Sequence, residues 1–382
     1  MVLVGLTLRG PIVGIPPLIP VISEDLSLDP STAALLTSLP LLMFATLSPV
    51  VPMVVRRIGI DRTLLCGMGL LGLALMSRPW SGGLGMLIGT VGVGAAITVG
   101  NVVVPALVRR DAGPQVPRVM AASTSAYGVG QAVMAFSAVP VAHAIGWRWS
   151  VSWPVLLVVL AIIVLILRAR PPTAITRAGE TQRALRTTGH TSARVWRRSA
   201  AWWLSLFFGM QALLFYTTST WVPRQLAETG GIGDETAGTA LALFHLVGIL
   251  GTLGVPWLLA ALGGRRLGVA VALGWSVYFT GLLVFPESWL IWMLVGGLTQ
   301  GAGIGLGLTL IATRPASPEV GAHLSGMVQG VGYAAAAAGP VAVGWLLSMG
   351  HGWSVPTVLL LICSGIMALS AYHAGAEDRI SG

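Results

Sequence analysis

The sequence contains no lysine: all 22 basic residues among its 382 are arginine. Charge of either sign is scarce. Only 9% of residues are charged, against about 25% in soluble domains. With 55% hydrophobic residues and a mean hydropathy of +0.83, the chain reads as an integral membrane protein. Cysteine is nearly absent. Cys66 and Cys363 both lie in apolar runs, too few for a disulfide framework or a thiolate metal site, and are expected to be buried free thiols. No Asp or Glu lies deep in an apolar run. Glu24 and Asp25 end the first run, and Asp61 and Asp111 adjoin loops. Intramembrane carboxylates are the usual partners of cationic substrates and coupling protons, so their absence argues against a cationic substrate. There is no G-x-x-x-x-G-K-[ST] loop, which excludes that form of ATP-driven pump. No arrangement suggests an enzyme site, a metal site or a cofactor. The net charge of +9 is read below as a topology signal, not as a nucleic-acid footprint.

Long apolar runs are plentiful. A bilayer crossing takes about 20 apolar residues. Twelve spans are predicted near 2–22, 33–55, 63–78, 83–108, 118–142, 150–169, 201–223, 236–262, 267–285, 288–313, 321–348 and 354–373. The first run lacks the basic flank and the small-residue cleavage site of a signal peptide. Loops after even-numbered spans carry Arg56, Arg57, Arg62, Arg109, Arg110, Arg265, Arg266, Arg314 and the arginines of a polar stretch at 170–200. Loops after odd-numbered spans carry only Arg78, Arg148 and Arg224. The positive-inside rule then puts both termini in the cytoplasm, with the chain in the plasma (bacterial inner) membrane. Trp80, Trp147, Trp149, Trp221, Trp289 and Trp353 fall near span ends, where interfacial rings belong.

The halves repeat at a shift of about 203 residues: 32–52 aligns with 236–256, 146–160 with 350–362, and YGVGQ at 127–131 with QGVGY at 329–333. Six spans separate the copies. An even number preserves orientation, so the repeat is parallel about an axis along the membrane normal. The expected organisation is a six-helix bundle over 1–169, a cytoplasmic linker over 170–200 and a second six-helix bundle over 201–382. The whole is an all-α polytopic membrane protein.

Parallel six-span halves with a basic linker resemble the major facilitator superfamily, whose signature loop is echoed in RRIGIDR at 56–62. LTLRGPI (6–12), GNVVVPALVRRD (100–111), MQALLFYTTSTWVP (210–223) and LSGMVQGVGYAAAAAGP (324–340) look like the cyanate/nitroimidazole transporter family within it. That family typically has asparagine-leucine-arginine-proline in its first span. Here Thr7 and Gly10 flank Leu8-Arg9 instead. The resemblance implies a twelve-helix transporter working by alternating access on small polar or anionic solutes.

Polar groups inside spans are the candidate site. Arg9 is the one charge well inside a predicted span, where an arginine costs about 2.5–3.5 kcal/mol on insertion scales. It either snorkels to the cytoplasmic surface or faces a solute. Its repeat counterpart is Gln211, expected opposite it. Tyr127 and Gln131 share one helix face, as do Gln329 and Tyr333, and the repeat maps each pair on the other. They either converge on a midplane cavity or glue helices together. The glycines between them, Gly128, Gly130, Gly330 and Gly332, read as close-packing sites. Asn101, Gln300 and Tyr216 are further substrate candidates. His245 either carries a coupling proton or packs. Asp61, with Arg62 and Arg57 near it, is the candidate gate. Prolines 11, 16, 17 and 20 punctuate the first span and predict bends.

The resulting expectation is a secondary transporter for a small anionic or polar solute, with Arg9 as its main contact. Efflux of a neutral nitroimidazole-like or other drug-like compound is the alternative. A receptor would need a sensing domain at a terminus, and a channel fits kinked pseudo-symmetric halves less well. Expected partners are the solute, a coupling proton and membrane lipids, but no nucleic acid, with a monomer as the working unit.

Overall fold

The computed structural model describes residues 2–111, 116–168, 195–315 and 318–374. Most of the expected 170–200 linker therefore lies outside the described residues. The N-terminal half holds α1 (Val2–Val13), α2 (Ile19–Leu26), α3 (Pro30–Leu47), α4 (Val51–Ile58) and α5 (Ile60–Ser77). It continues with α6 (Gly82–Asp111), α7 (Val116–Ile145), α8 (Trp147–Ser152) and α9 (Val155–Arg168). The C-terminal half holds α10 (Ser199–Thr229), α11 (Asp234–Val284), α12 (Trp289–Thr313), α13 (Pro318–Ser348) and α14 (Ser354–Ala374). Among the described residues there is no strand.

Among the described residues, eleven segments are long and apolar enough to cross a membrane. One of them, α11, has 51 residues. At 1.5 Å per residue it would run about 76 Å, more than twice the hydrocarbon thickness of about 30 Å. It breaks at Gly263, where φ is 72° and ψ is 165°, a conformation that favours glycine. Two crossings meet there, just before Arg265 and Arg266, and the total becomes twelve. The surface inverts that of a soluble protein: Leu84, Leu167 and Trp257 are 74%, 80% and 74% exposed, as lipid-facing side chains would be. Cys66 shares this exposure, contrary to the buried thiol expected. Cys363 is buried, and both are free. Trp80 and Trp149 are open to the surroundings, whereas Trp147 and Trp221 are buried. Trp221 sits inside because its indole N–H donates to the Pro340 carbonyl.

The first span is interrupted. Pro16 and Pro17 have no N–H for the carbonyls of Ile12 and Val13, so α1 stops at Val13. A 3-10 turn over Pro16–Leu18 joins it to α2.

The halves meet through α3 against α13 and α7 against α11. The repeat shift carries α3 onto the start of α11, and α7 onto α13, so these are one contact repeated by the twofold. Gly344 of α13 lies against the Pro30 carbonyl, and Gly238 of α11 against that of Ala135. The described side-chain bonds joining the halves lie toward the end of the bundle away from Val2 and Ala374. They are Thr220 Oγ1 donating to Thr37 Oγ1 at 2.9 Å and His143 Nδ1 with Glu235 Oε1 at 3.1 Å.

Candidate substrate site

Arg9 is set by the packing of α1 on α7. Gly10 lies close to the Gly130 carbonyl, and Gly130 lies against the backbone of Leu6. No side chain larger than hydrogen fits at either place, so the glycine beside Gln131 is a close-packing site, as its sequence suggested. Gly128 likewise meets Ile249 and Gly332 meets Phe208, but Gly330 has open space around it. Held this way, Arg9 points inward. It is partly accessible, while its Nε is buried without a hydrogen-bond partner.

Three tyrosines face the guanidinium from three helices. Its carbon lies 5.6 Å from the ring centroid of Tyr127 on α7, within cation–π range. Tyr216 on α10 and Tyr333 on α13 are close enough to act on it electrostatically. Tyr333 also anchors an aromatic wall. Its ring centroid lies 5.4 Å from that of Phe44, 5.6 Å from Phe208 and 6.4 Å from Tyr216. The Tyr216 hydroxyl is buried and unpartnered. Both halves therefore contribute to one aromatic, hydroxyl-bearing enclosure around a single cation. Among the described residues, no carboxylate is among the groups acting on Arg9.

The other candidates divide. Asn101 is partly accessible, next to Gly100, where α6 rests on Leu8 of α1. Gln131 is buried with its Nε2 unpartnered. Gln329 instead donates to Ser325 within its own helix at 2.8 Å. Gln211 takes its partners within the C-terminal half. It is 0% exposed, donates to the Gln300 carbonyl at 3.1 Å and accepts from the Trp275 indole at 2.9 Å. The Gln300 side chain packs against Gly248. These bonds tie three helices of the C-terminal half together. Thr7 turns its hydroxyl onto the Val4 carbonyl at 2.9 Å. His245 is buried between the rings of Phe215 and Phe244, with both nitrogens unpartnered.

At the gate, Asp61 pairs in two-pronged fashion with Arg110 at 2.6 and 2.9 Å, while Arg57 and Arg62 are exposed. Hydrogen bonds from Arg110 to Asp61 first and Asp111 second push its already high pKa further up. All three belong to the N-terminal half.

Sequence reasoning missed three residues. Phe44 and Phe208 form the wall around Tyr333, and nothing in their spacing marks them. Arg78 was read as a loop arginine, yet it is 2% exposed and its Nη2 donates to the Pro11 carbonyl at 3.2 Å. The prolines signalled only that the helix breaks nearby; which carbonyl the break leaves free, that of Pro11, depends on the Ile15 N–H turning to Ile12.

The family model of the Major Facilitator Superfamily matches residues 1–286. The chain belongs to the Major Facilitator Superfamily. Among its relatives, the 2-nitroimidazole transporter of Escherichia coli (strain K12) is 34% identical, over 100% of this chain and 95% of that one. The cyanate transport protein CynX of the same organism is 26% identical, over 98% and 96%. The crystal structure of the nucleoside transporter NupG superposes with a TM-score of 0.76 at 9% identity, covering 97% of this chain and 95% of that one. This likeness shows the fold. As a member of a transporter superfamily, the protein is a membrane transporter and not an enzyme.

Proposed function

We propose that this facilitator moves a small anionic or polar solute by alternating access, with Arg9 as the principal contact. The observation carrying the reading is the guanidinium enclosed by Tyr127, Tyr216 and Tyr333 with no carboxylate to neutralise it. An uncompensated cation inside a membrane is costly, and an anionic or strongly hydrogen-bonding solute would offset that cost when bound. Asn101, Gln131 and the three tyrosine hydroxyls would supply its remaining hydrogen bonds. Gln211, Gln300 and Gln329 would act behind this shell by holding helices.

On the positive-inside rule, the end with Val2 and Ala374 would face the cytoplasm. The inter-half bonds Thr220–Thr37 and His143–Glu235 would then close the outer side, in a cytoplasm-facing state. The two repeated contacts, α3 with α13 and α7 with α11, are the surfaces on which the halves would rock. A monomer contains both halves of the enclosure and suffices for the cycle.

The test is uptake into proteoliposomes. Arg9→Ala is expected to abolish saturable transport while the protein stays folded. Undiminished transport would remove Arg9 from the site. A second reading, efflux of a neutral nitroaromatic, is favoured by the Phe44, Phe208 and Tyr333 wall and by the name of the 2-nitroimidazole relative. Competition separates the two: small inorganic anions should inhibit transport of an anionic solute and leave that of a neutral azole unchanged.

A further inference from the structure

The break in the first span leaves a carbonyl that the helix cannot use. In a regular helix the Pro11 carbonyl accepts from the N–H of Ile15. Here the Ile15 N–H turns to Ile12 at 3.4 Å. The Pro11 carbonyl accepts instead from Arg78, 67 positions away in sequence, at 3.2 Å. This bond lies in the protein interior, where an unmet carbonyl is expensive. Arg78 reaches it from a 3-10 turn over Arg78–Trp80 at the end of α5. Its aliphatic stem runs against Gly89 of α6, where a Cβ would collide with it. The guanidinium thus comes from α5, is walled by α6 and ends on α1.

The charge suits the place. The last carbonyls of α1 carry the partial negative charge of a helix C-terminus, and a cation there is favourable. No carboxylate pairs with Arg78 among the described side-chain bonds, and its Nε is buried without a partner. Pro11 is two residues beyond Arg9. Whatever fixes the severed end of α1 therefore fixes the position of Arg9 as well.

We infer that Arg78 is a positioning residue: it caps the severed end of α1 at Pro11 and so holds Arg9 in register with the tyrosines of the site. The substrate side of this inference rests on the reading of Arg9 given above; the geometric side does not. Arg78 itself contacts no solute. Its loss would let the end of α1 move and would weaken solute binding without changing the charge at Arg9.

The experiment has two independent readouts. One is proteoliposome uptake, separated into KM and Vmax. The other is maleimide labelling of Leu6→Cys in a Cys66→Ser, Cys363→Ser background. Leu6 lies one turn before Arg9 on the same helix face. Arg78→Met is expected to raise KM by about tenfold or more, the usual scale for losing a buried charged hydrogen bond. It should also change the Leu6→Cys labelling rate severalfold. Arg78→Lys, which can still donate, should recover part of both effects. Gly89→Ala leaves the charge in place and displaces the stem, so it should reproduce the Arg78→Met effects if position matters. It also covers the case in which Arg78→Met fails to fold. Unchanged KM and labelling in Arg78→Met or Gly89→Ala would overturn the inference. Normal transport in Arg9→Ala, together with altered labelling in Arg78→Met, would instead sink the substrate reading and leave the cap standing.

Discussion

The two halves share a topology and divide the chemistry. In the N-terminal half the first span is broken at Pro16 and Pro17, and it carries Arg9. A second arginine, the buried Arg78, donates to the Pro11 carbonyl beside the break. In the C-terminal half the equivalent helix, α10, runs unbroken over Ser199–Thr229 and carries Gln211. That glutamine is consumed in bonds to Trp275 and Gln300. Around it lies a stacked and edge-on cluster of Phe215, Phe244, Trp275, Tyr278 and Phe279. One half thus holds an uncompensated charge on an interrupted helix. The other adds two of the three tyrosines, Tyr216 and Tyr333, from beside an aromatic cluster. The same position in the repeat carries a charge that no carboxylate neutralises in one copy and a helix-tying amide in the other.

The largest effect should come from erasing this difference at its centre. Arg9→Gln copies the C-terminal half onto the N-terminal one. Losing a buried charge that a solute pairs with typically costs 2–5 kcal/mol, so solute affinity should fall by about 100-fold. Stability should not fall with it, because removing a partly buried cation whose Nε has no partner relieves desolvation. Isothermal titration and a thermal melt on one preparation check both. A lower melting temperature with unchanged affinity would make Arg9 a structural residue.

The second test acts on the other copy. Gln211→Leu leaves the buried Trp275 N–H without a partner and unties α10 from the Gln300 carbonyl, which keeps its bond within α12. A buried orphan costs about 1–3 kcal/mol, so the melting temperature should drop clearly. Solute affinity in the surviving folded fraction should change little. If affinity collapses while the melt is unaltered, Gln211 belongs to the site after all and the contrast between the halves is wrong.

Much of the fold was legible because bilayer physics writes it in large letters. Span lengths, arginine placement and the repeat needed no side-chain detail, and even the break within α11 falls at the predicted loop before Arg265. The site was legible in part. Arg9, Tyr127, Tyr216 and Tyr333 come together, while Gln211 and Gln329 hydrogen-bond to partners within the C-terminal half. A helix-face argument assigns direction to within a third of a turn. It does not say whether a neighbouring helix offers a partner first. Trp275 was such a partner, 64 positions away on α11, whereas Ser325 takes Gln329 from within its own helix, 4 positions away. Arg78 was hidden for the opposite reason. Its position suggested a loop, and its function is set by a carbonyl on another helix.

A smaller effect is expected where the N-terminal half begins its contact with α13. Asp29 caps α3, accepting from the N–H groups of Ser31 and Thr32. The Thr32 hydroxyl, the largest cause, and these backbone donors hold its carboxyl below the usual value. A depressed carboxylate contributes stability above its unfolded pKa of about 3.9, and that contribution is lost as pH falls through the lower folded value. Asp29→Ala should therefore cost about 1 kcal/mol near neutrality, as lost N-caps do. The difference from wild type should shrink in strong acid. A difference independent of pH would mean that the cap does not act through its charge.

The smallest effect is expected at Asp61. Its pair with Arg110 has good geometry, but the two side chains are 56% and 45% exposed. Exposed pairs contribute about 0.2–1 kcal/mol. Both residues also sit in the N-terminal half, so the bond joins α5 to α6 and moves with that half as one body. A latch on alternating access must bridge parts that separate. On this geometry Asp61→Asn should trim the melting temperature slightly and leave transport rate and conformational equilibrium alone. A shift toward the outward-facing or inward-facing state, read by cysteine accessibility at Leu6→Cys, would mean that Arg110 changes partner during the cycle. Asp61 would then join the moving parts of the protein, and the N-terminal half would no longer count as a rigid carrier of Arg9.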